Sequence, residues 1–330
     1  MEFSVRLPTS NSVANVENIV RVAQEAERLG FEGVSVHDHL AFAGDWVACG
    51  SVEAIDGERE KNFFEALNVL SYVAALTEKV KLQTGILVLP IRNPLHIAKG
   101  TATVDVLSRG RLILGVGLGA PYSRQGKKEF ESLKVPGRER GLLADEYLEV
   151  IRELWTKPKA SYKGRTVEFT DVEMYPKPVQ KPHPPIWIGG TSMKAVNRAA
   201  RVGNGWLPSG ATVEEVQRGV SAIPGLLIEH GRERDRLTAG LNVFTVLGKD
   251  YDDAWAMAEK TLFSLANRFQ SIQDGLNRTL IGSPTDMIQR IREYQEAGLQ
   301  HIEMKMLYPN IESLLEMMRR FCGEVRPAFN

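Results

Sequence analysis

The apolar positions of this chain follow two alternating spacings. Continuous β-branched runs at residues 80–89 and 112–116 end in proline or glycine. Between such runs the apolar residues recur at helical spacing, as in residues 16–29, which stop at Gly30. Short apolar runs bounded by turn residues are typical of buried strands, and the 3.6-residue period is typical of the helices that cover them. The pattern therefore predicts strands that alternate with helices.

About eight strands are predicted in this way. They cover residues 3–7, 33–37, 80–89, 112–116, 186–188, 205–207, 241–247 and 301–306, with an inserted hairpin at 162–168 and long loops at 38–62 and 117–137. This alternation predicts an α/β fold of the (β/α)8 TIM barrel type, and a doubly wound sheet is the alternative. Because no proline- or serine-rich linker divides the chain, residues 1–330 are expected to form a single domain.

Composition narrows the class of protein. Lysine plus arginine and aspartate plus glutamate number 41 each, so net charge gives no reason to expect nucleic acid or an acidic membrane as a partner. Cys49 and Cys322 cannot make a disulfide framework. The chain starts without a signal-peptide pattern, and no apolar run reaches membrane-spanning length. The expected compartment is the cytoplasm.

The first candidate for chemistry is the sequence His37-Asp38-His39, which follows the second predicted strand. Catalytic groups of (β/α)8 barrels lie after the strands, and histidine carries protons at neutral pH. A capping role for one histidine is the structural alternative. The His-x-His spacing also suggests a metal site, but the other histidines are not placed to complete it. His96 lies within a predicted helix, His230 ends one, His183 precedes a strand, and His301 starts a strand at the wrong end. No metal is expected.

Three glycine-containing segments are the next candidates. Residues 115–120 match a dinucleotide fingerprint formally, but Pro121 follows and no apolar helical pattern comes close behind, so the fingerprint is rejected. A strand end that a flat ligand approaches closely is the preferred interpretation. The glycine in Thr84-Gly85-Ile86 indicates a bulge or close backbone approach, with simple packing as the alternative. Residues 189–192, between a strand and a helix, suit a phosphate or an ordinary helix cap.

Several segments, taken in order, resemble the luciferase-like monooxygenase superfamily of flavin- and deazaflavin-dependent (β/α)8 barrels. The segments that carry this resemblance are residues 29–34, 38–39, 85–90, 105–112, 115–117, 185–190 and 203–206. Each is weak alone, and together they span most of the chain. The resemblance implies a luciferase-like barrel with insertion loops.

The resemblance also implies roles for individual residues. A non-proline cis peptide, here Gly85-Ile86, would press on the central ring of the isoalloxazine, and the turn after residue 188 would take the cofactor phosphate. The cofactor-binding positions are Thr84, Gly85, Ile86, Gly115, Gly117, Gly189, Gly190, Thr191 and Ser192. Asp38 and His39 would be the catalytic pair, as in the branch that uses coenzyme F420, where the histidine handles protons.

The leading hypothesis is an oxidoreductase that transfers hydride to or from F420, with His39 as acid or base. The alternative is an FMNH2-dependent monooxygenase that uses O2, and a flavin-binding barrel without catalysis is the alternative of another class. No NAD(P) signature is visible, so a separate flavin or F420 reductase is expected. The substrate would be a small organic molecule, although Ala120 stands where F420-dependent sugar-phosphate dehydrogenases carry an acid. A homodimer is expected from the resemblance.

Overall fold

The computed structural model describes residues 1–10, 12–40, 62–121, 124–264 and 271–329. The strands are β1 (Glu2–Arg6), β2 (Gly33–Val36), β3 (Lys81–Thr84), β4 (Leu87–Val88), β5 (Leu112–Gly117), β6 (Ala160–Lys163), β7 (Glu168–Val172), β8 (Ile186–Gly189), β9 (Gly205–Leu207), β10 (Thr238–Leu247), β11 (Thr279–Gly282) and β12 (His301–Met306). The helices are α1 (Val16–Arg28), α2 (Ala66–Leu76), α3 (Pro94–Leu107), α4 (Arg124–Ser132), α5 (Arg140–Thr156), α6 (Met193–Val202), α7 (Val213–Glu229), α8 (Tyr251–Ser264), α9 (Ile272–Asn277), α10 (Pro284–Glu296) and α11 (Ile311–Arg320).

Eight parallel strands close into a barrel. Their order is β1-β2-β3-β5-β8-β9-β10-β12, and β12 pairs back onto β1 with His301 opposite Glu2. The sheet therefore has no open edge along this path, and the predicted (β/α)8 fold is confirmed over the doubly wound alternative. All eight carboxyl ends point to one mouth, which is where barrel enzymes place their chemistry.

The third predicted strand, residues 80–89, is interrupted. Its first part is β3, and β4 resumes two residues later beside β5, with Leu87 opposite Val116. The peptide bond between them, Gly85-Ile86, is cis, as the resemblance implied.

Two further elements differ from the sequence-based expectation. Helix α4 lies inside the predicted loop at 117–137, and β11 was not predicted; it extends the sheet beyond β10. The predicted hairpin is present as β6 and β7. Most of the predicted loop at 38–62 lies outside the described residues.

Side-chain hydrogen bonds fix the starts of the helices and their packing on the barrel. The side chain of Asn15 accepts a hydrogen bond from the backbone of α1, and Ser283 forms a reciprocal capping box with Asp286 at the start of α10. Trp155 of α5 is 1% exposed, and its indole N–H donates to the Ala98 carbonyl at 2.9 Å. No helix within the described ranges is long and apolar enough to span a bilayer.

Candidate active site

A cavity of about 660 Å³ opens at the carboxyl ends of the barrel strands. We call it the carboxyl-end cavity. Its lining includes Arg6, His37, Asp38, His39, Gly85, Ile86, Gly117, Gly189, Gly190, Ser192, Asn242 and Lys305. The volume is in the range that holds a drug-sized ligand or cofactor. A second cavity of similar volume lies at the opposite mouth, beside Glu2, Lys81 and Trp187. That end of a barrel usually serves stability.

His39 is held by a buried carboxylate. Its Nδ1 lies 2.9 Å from Oε2 of Glu129 in α4, and the other carboxylate oxygen accepts the Leu40 backbone N–H at 2.6 Å. The Glu129 side chain is 2% exposed and that of His39 is 29% exposed. Because an ionised carboxylate only accepts hydrogen bonds, Nδ1 carries a proton and Nε2 of the neutral ring becomes the basic nitrogen.

Asp38 faces a different partner. Its carboxylate forms an ion pair with Arg92 and accepts the Val88 backbone N–H at 2.9 Å. Burial raises the pKa of Asp38, and the guanidinium of Arg92 opposes that rise. Arg92 also binds Glu65 at 3.0 Å, so this ion pair ties β2 to the segment after β4. The catalytic role of Asp38 stays a prediction, and the contacts show a positioning role for its carboxylate.

His37 is enclosed by protein. Its Nδ1 lies 3.3 Å from the Thr9 hydroxyl, and its ring packs edge-on against Phe63 with centroids 4.5 Å apart. Burial lowers the pKa of His37 well below its ordinary value, and the charge of Arg6 adds to this. His37 is therefore neutral at physiological pH, which makes His39 the better placed proton carrier of the two.

A network under the cavity holds the Gly85-Ile86 segment. Arg6 donates to the Gly85 carbonyl at 2.7 Å and to Glu303 at 3.2 Å, and Glu303 also accepts from Asn242 at 2.5 Å. A Cβ added to Gly85 would lie 2.4 Å from Glu303. Position 85 therefore admits only glycine while this carboxylate stays in place.

The glycines of β5 make room for the protein's own atoms. A Cβ on Gly115 would lie 2.0 Å from the Thr84 carbonyl oxygen, and one on Gly117 would lie 1.7 Å from the Ile86 side chain. The protein's own Thr84 and Ile86 therefore account for the need for glycine at both positions, and the close approach of a flat ligand stays a prediction. Gly117 lines the carboxyl-end cavity, whereas Gly115 and Thr84 lie behind it.

The turn after β8 leads directly into α6. Gly190 has a φ of +119°, which a residue with a side chain rarely adopts, and its carbonyl accepts the Trp206 indole N–H at 2.8 Å. Ser192 caps α6 by accepting the Ala195 N–H at 3.3 Å. Of the four predicted phosphate residues, the cavity lining includes Gly189, Gly190 and Ser192, while Thr191 is exposed outside it.

The model for the luciferase-like monooxygenase family matches residues 1–301. The chain belongs to this family. It is 26% identical over 315 residues to the FMNH2-dependent dimethylsulfone monooxygenase of Pseudomonas putida, covering 86% of this chain and 80% of that relative. It is 28% identical over 307 residues to the F420-dependent glucose-6-phosphate dehydrogenase of Microbacterium testaceum, covering 84% and 83%. A Streptomyces bottropensis monooxygenase structure matches both whole chains with a TM-score of 0.82 at 23% identity.

As a luciferase-like monooxygenase family member, the protein is an oxidoreductase. Its carboxyl-end cavity fits an anionic, flavin-type cofactor. Among the described residues, Asp38 supplies the one carboxylate of the lining. Six cationic side chains line the same cavity, namely Arg6, Arg138, Arg140, Lys194, Arg198 and Lys305. The N-terminus of α6 adds backbone N–H groups that suit a phosphate. Within the described ranges, no three His, Cys, Asp or Glu side chains cluster as metal ligands.

Sequence reasoning missed Glu129, Arg6 and Glu303. Glu129 sits on a helix whose sequence has no apolar stripe, so neither the helix nor its inward-facing acid was predicted. Arg6 and Glu303 are charged residues inside strands, at 10% and 0% side-chain exposure. A charge within an apolar strand is the signal that would have found them, because buried charges are rare without a partner.

Proposed function

We propose that this luciferase-like oxidoreductase transfers hydride between a small organic substrate and coenzyme F420, with His39 as the acid or base. The observation that carries the proposal is the His39–Glu129 pair in the wall of the carboxyl-end cavity. A histidine held by a carboxylate has a defined tautomer and orientation, which are the requirements of a positioned acid–base group.

Each residue of the site has a separate role in this reaction. When bound, a deazaflavin ring supplies a carbon that accepts or donates hydride. Nε2 of His39 takes the proton that a substrate hydroxyl loses as its carbon is oxidised, and returns it in the reverse direction. Glu129 stabilises the charge that the imidazole gains when it takes this proton. Gly189, Gly190 and Ser192 would hold the cofactor phosphate, and Gly85-Ile86, fixed by Arg6, would lie against the ring.

The charge of the cavity supports F420 over FMN. F420 carries a phosphodiester followed by glutamate carboxylates, whereas FMN ends at one phosphate group. The excess of cations in the lining matches the more extended anion, because like-signed clusters attract and orient ligands of opposite charge. The relatives include enzymes of both cofactor types, so the choice rests on this chain's own residues.

Cofactor titration tests the proposal directly. Purified protein is mixed anaerobically with F420 or with FMN, and binding is followed by visible absorbance and fluorescence. We expect F420 to bind at least about tenfold more tightly than FMN, since several charge contacts add to the phosphate contact. FMN binding with no F420 binding would refute the F420 assignment and favour the FMNH2-dependent monooxygenase, which needs O2 and a separate reductase.

Substitution of His39 tests its role. His39→Asn is expected to keep the F420 dissociation constant within about twofold and to lower turnover with a panel of alcohols by about 10²–10⁴-fold, the usual contribution of a positioned acid or base. The exposed His96→Asn serves as the control. Unchanged turnover in His39→Asn would show that His39 is not the acid or base of the reaction. F420 binding without turnover on any substrate would favour the non-catalytic barrel.

A further inference from the structure

We propose that the middle of the barrel binds one ordered water molecule, held by Gln83, Glu303 and Ser35. The site is separate from the carboxyl-end cavity and does not depend on the cofactor that this cavity takes. Two buried atoms, Nε2 of Gln83 and Oε2 of Glu303, have no hydrogen-bond partner within the described part of the chain. Gln83 is 1% exposed and Glu303 is 0% exposed. Because buried polar atoms are nearly always hydrogen-bonded, both atoms call for a partner.

The interior of the barrel has a polar middle layer. Side chains two residues apart on a strand face the same side, so each inward-facing series passes from one mouth to the other. In β3 this series runs from Lys81, which lines the cavity at the opposite mouth, through Gln83 to Gly85, which lines the carboxyl-end cavity. The same spacing in β1, β2 and β12 places three further buried residues at the middle level, namely Ser4, Ser35 and Glu303. TIM barrels usually fill this level with branched apolar residues.

Gln83 and the unpartnered oxygen of Glu303 border the same space. Ser35 lies directly opposite Gln83 in the pairing of β2 with β3, and its hydroxyl donates to Oε1 of Glu303 at 2.7 Å. A Cβ added to Gly85, two residues after Gln83 on the same strand, would lie 2.5 Å from Oε2 of Glu303. The carboxylate therefore reaches across the barrel interior, and its second oxygen ends beside the strand that carries Gln83.

The donors around Glu303 are unevenly distributed. Ser35, Asn242 and Arg6 all donate to Oε1, at 2.7, 2.5 and 3.2 Å. A water molecule in the space beside Oε2 would accept from Nε2 of Gln83 and donate to Oε2 and to the Ser35 hydroxyl oxygen. Buried waters typically make about three hydrogen bonds of this kind to otherwise unpartnered groups.

The surrounding groups favour water over a cation. The guanidinium of Arg6 already supplies positive charge to Glu303, at 3.2 Å, and the amide N–H of Gln83 would repel a second cation. Water can accept from the amide and donate to the carboxylate at once. Because Arg6 also donates to the Gly85 carbonyl at 2.7 Å, a water that fixes Glu303 would also fix the floor of the carboxyl-end cavity.

Substitution of Gln83 separates a hydrated site from a dry one. Gln83→Met keeps the length of the side chain and removes the donor. If water is bound, the variant weakens its binding and leaves Glu303 with an unpartnered oxygen, so the melting temperature should fall by about 2–5 °C. If the site is dry, the variant removes an unpaired buried donor, and the melting temperature should stay the same or rise.

High-resolution crystal structures provide the second measurement. In the wild type we expect a density peak within about 3 Å of both Nε2 of Gln83 and Oε2 of Glu303, and in Gln83→Met its loss. Ile113→Val is the control, because Ile113 lies opposite Gln83 in the pairing of β3 with β5 and has no polar side-chain atom. This variant should keep the peak.

The wild-type structure decides the inference even if Gln83→Met does not fold. A wild-type site without density, or a metal cation surrounded by several oxygen ligands there, would overturn it. A melting temperature that stays the same or rises in a folded Gln83→Met would also overturn it, as would a peak that persists in that variant. None of these outcomes bears on the proposed use of F420.

Discussion

Buried carboxylates hold the reactive side of the cavity in place. Glu129 accepts a hydrogen bond from His39. Glu303, which is 0% exposed, accepts hydrogen bonds from Arg6, Asn242 and Ser35. Glu129 lies on α4 and Glu303 on β12. A buried donor that loses its acceptor costs about 1–3 kcal/mol, so these carboxylates fix geometry at the level of single hydrogen bonds.

Glu129→Gln should change the tautomer of His39. Glutamine keeps the size of the side chain, but its amide group can donate to Nδ1, which then becomes an acceptor and moves the ring proton to Nε2. We expect ¹⁵N NMR of labelled histidine to show an Nδ1–H ring in the wild type and an Nε2–H ring in the variant. Turnover should fall about tenfold or more, because the basic nitrogen no longer faces the substrate.

Glu131→Gln on the same helix is the control, since Glu131 is exposed and makes a 3.8 Å ion pair with the exposed Lys127. Identical ¹⁵N spectra of His39 in the wild type and in Glu129→Gln would contradict this account of the pair.

Gly115→Ala should destabilise the barrel. The new Cβ would lie 2.0 Å from the Thr84 carbonyl oxygen, and backbone on both strands must move to relieve the contact. We expect a loss of about 2–3 kcal/mol in the free energy of unfolding, which is typical of an overpacked core. Gly225→Ala in α7, where no atom lies within 4 Å, should instead stabilise by about 1 kcal/mol. Urea unfolding midpoints that move in the same direction would argue against this.

Helices and strands with a regular apolar pattern were predicted from the sequence, and those without one were missed. Helices with a buried stripe, such as α1, were predicted to within a residue or two, because burial of one face imposes the 3.6-residue period. Helix α4 was missed because its sequence, RQGKKEFES, has one apolar residue. Gly85 was the one sign in the sequence of the break between β3 and β4, because the apolar run continues across the break.

At the element scale, Glu25 joins α1 to α11. It binds Arg28 and Arg319, each at 2.7 Å, and hydrogen bonding to Arg28, helped by Arg319, lowers its pKa from an ordinary value of 4.5 to about 2. Because the folded pKa lies below the unfolded one, this stabilisation is fully present above pH 4.5 and is lost as the pH falls toward about 2.

Glu25→Gln should therefore lower stability by about 1 kcal/mol at neutral pH, a value that allows for solvent screening of the exposed arginines. The difference from wild type should shrink as the pH falls below 4.5. Denaturant midpoints measured across pH would check it, with the exposed Glu296→Gln as the control. A difference that stays constant with pH would contradict the ion-pair explanation.

Closure of the barrel joins the two ends of the chain. β1 lies between β2 and β12, so its register depends on residues about 300 positions away. The alternation of strands and helices predicted the (β/α)8 fold because each strand buries both faces and each helix covers one. The site was only partly predictable, since His39 and the turn at Gly189 and Gly190 follow strands, whereas their partners come from distant segments.

The C-terminal segment that follows α11 stabilises this closure. Phe321 is 0% exposed, with its ring centroid 5.0 Å from Phe3 of β1 and 6.2 Å from Phe31. Phe329 is half-buried and contacts Phe3 at 5.9 Å. Both aromatic rings therefore pack against the same residue of β1, one from the core and one from its edge.

Phe321→Ala should cost about 3–4 kcal/mol in the free energy of unfolding, because it leaves a cavity between two rings that cannot close over it, whereas Phe329→Ala should cost about 1 kcal/mol. Since the cavity lies against β1, hydrogen exchange should quicken in β1 and β12 before it does in β8 and β9 across the barrel. Equal loss of stability in the two variants, or uniform exchange around the barrel, would mean that the C-terminal segment does not secure closure.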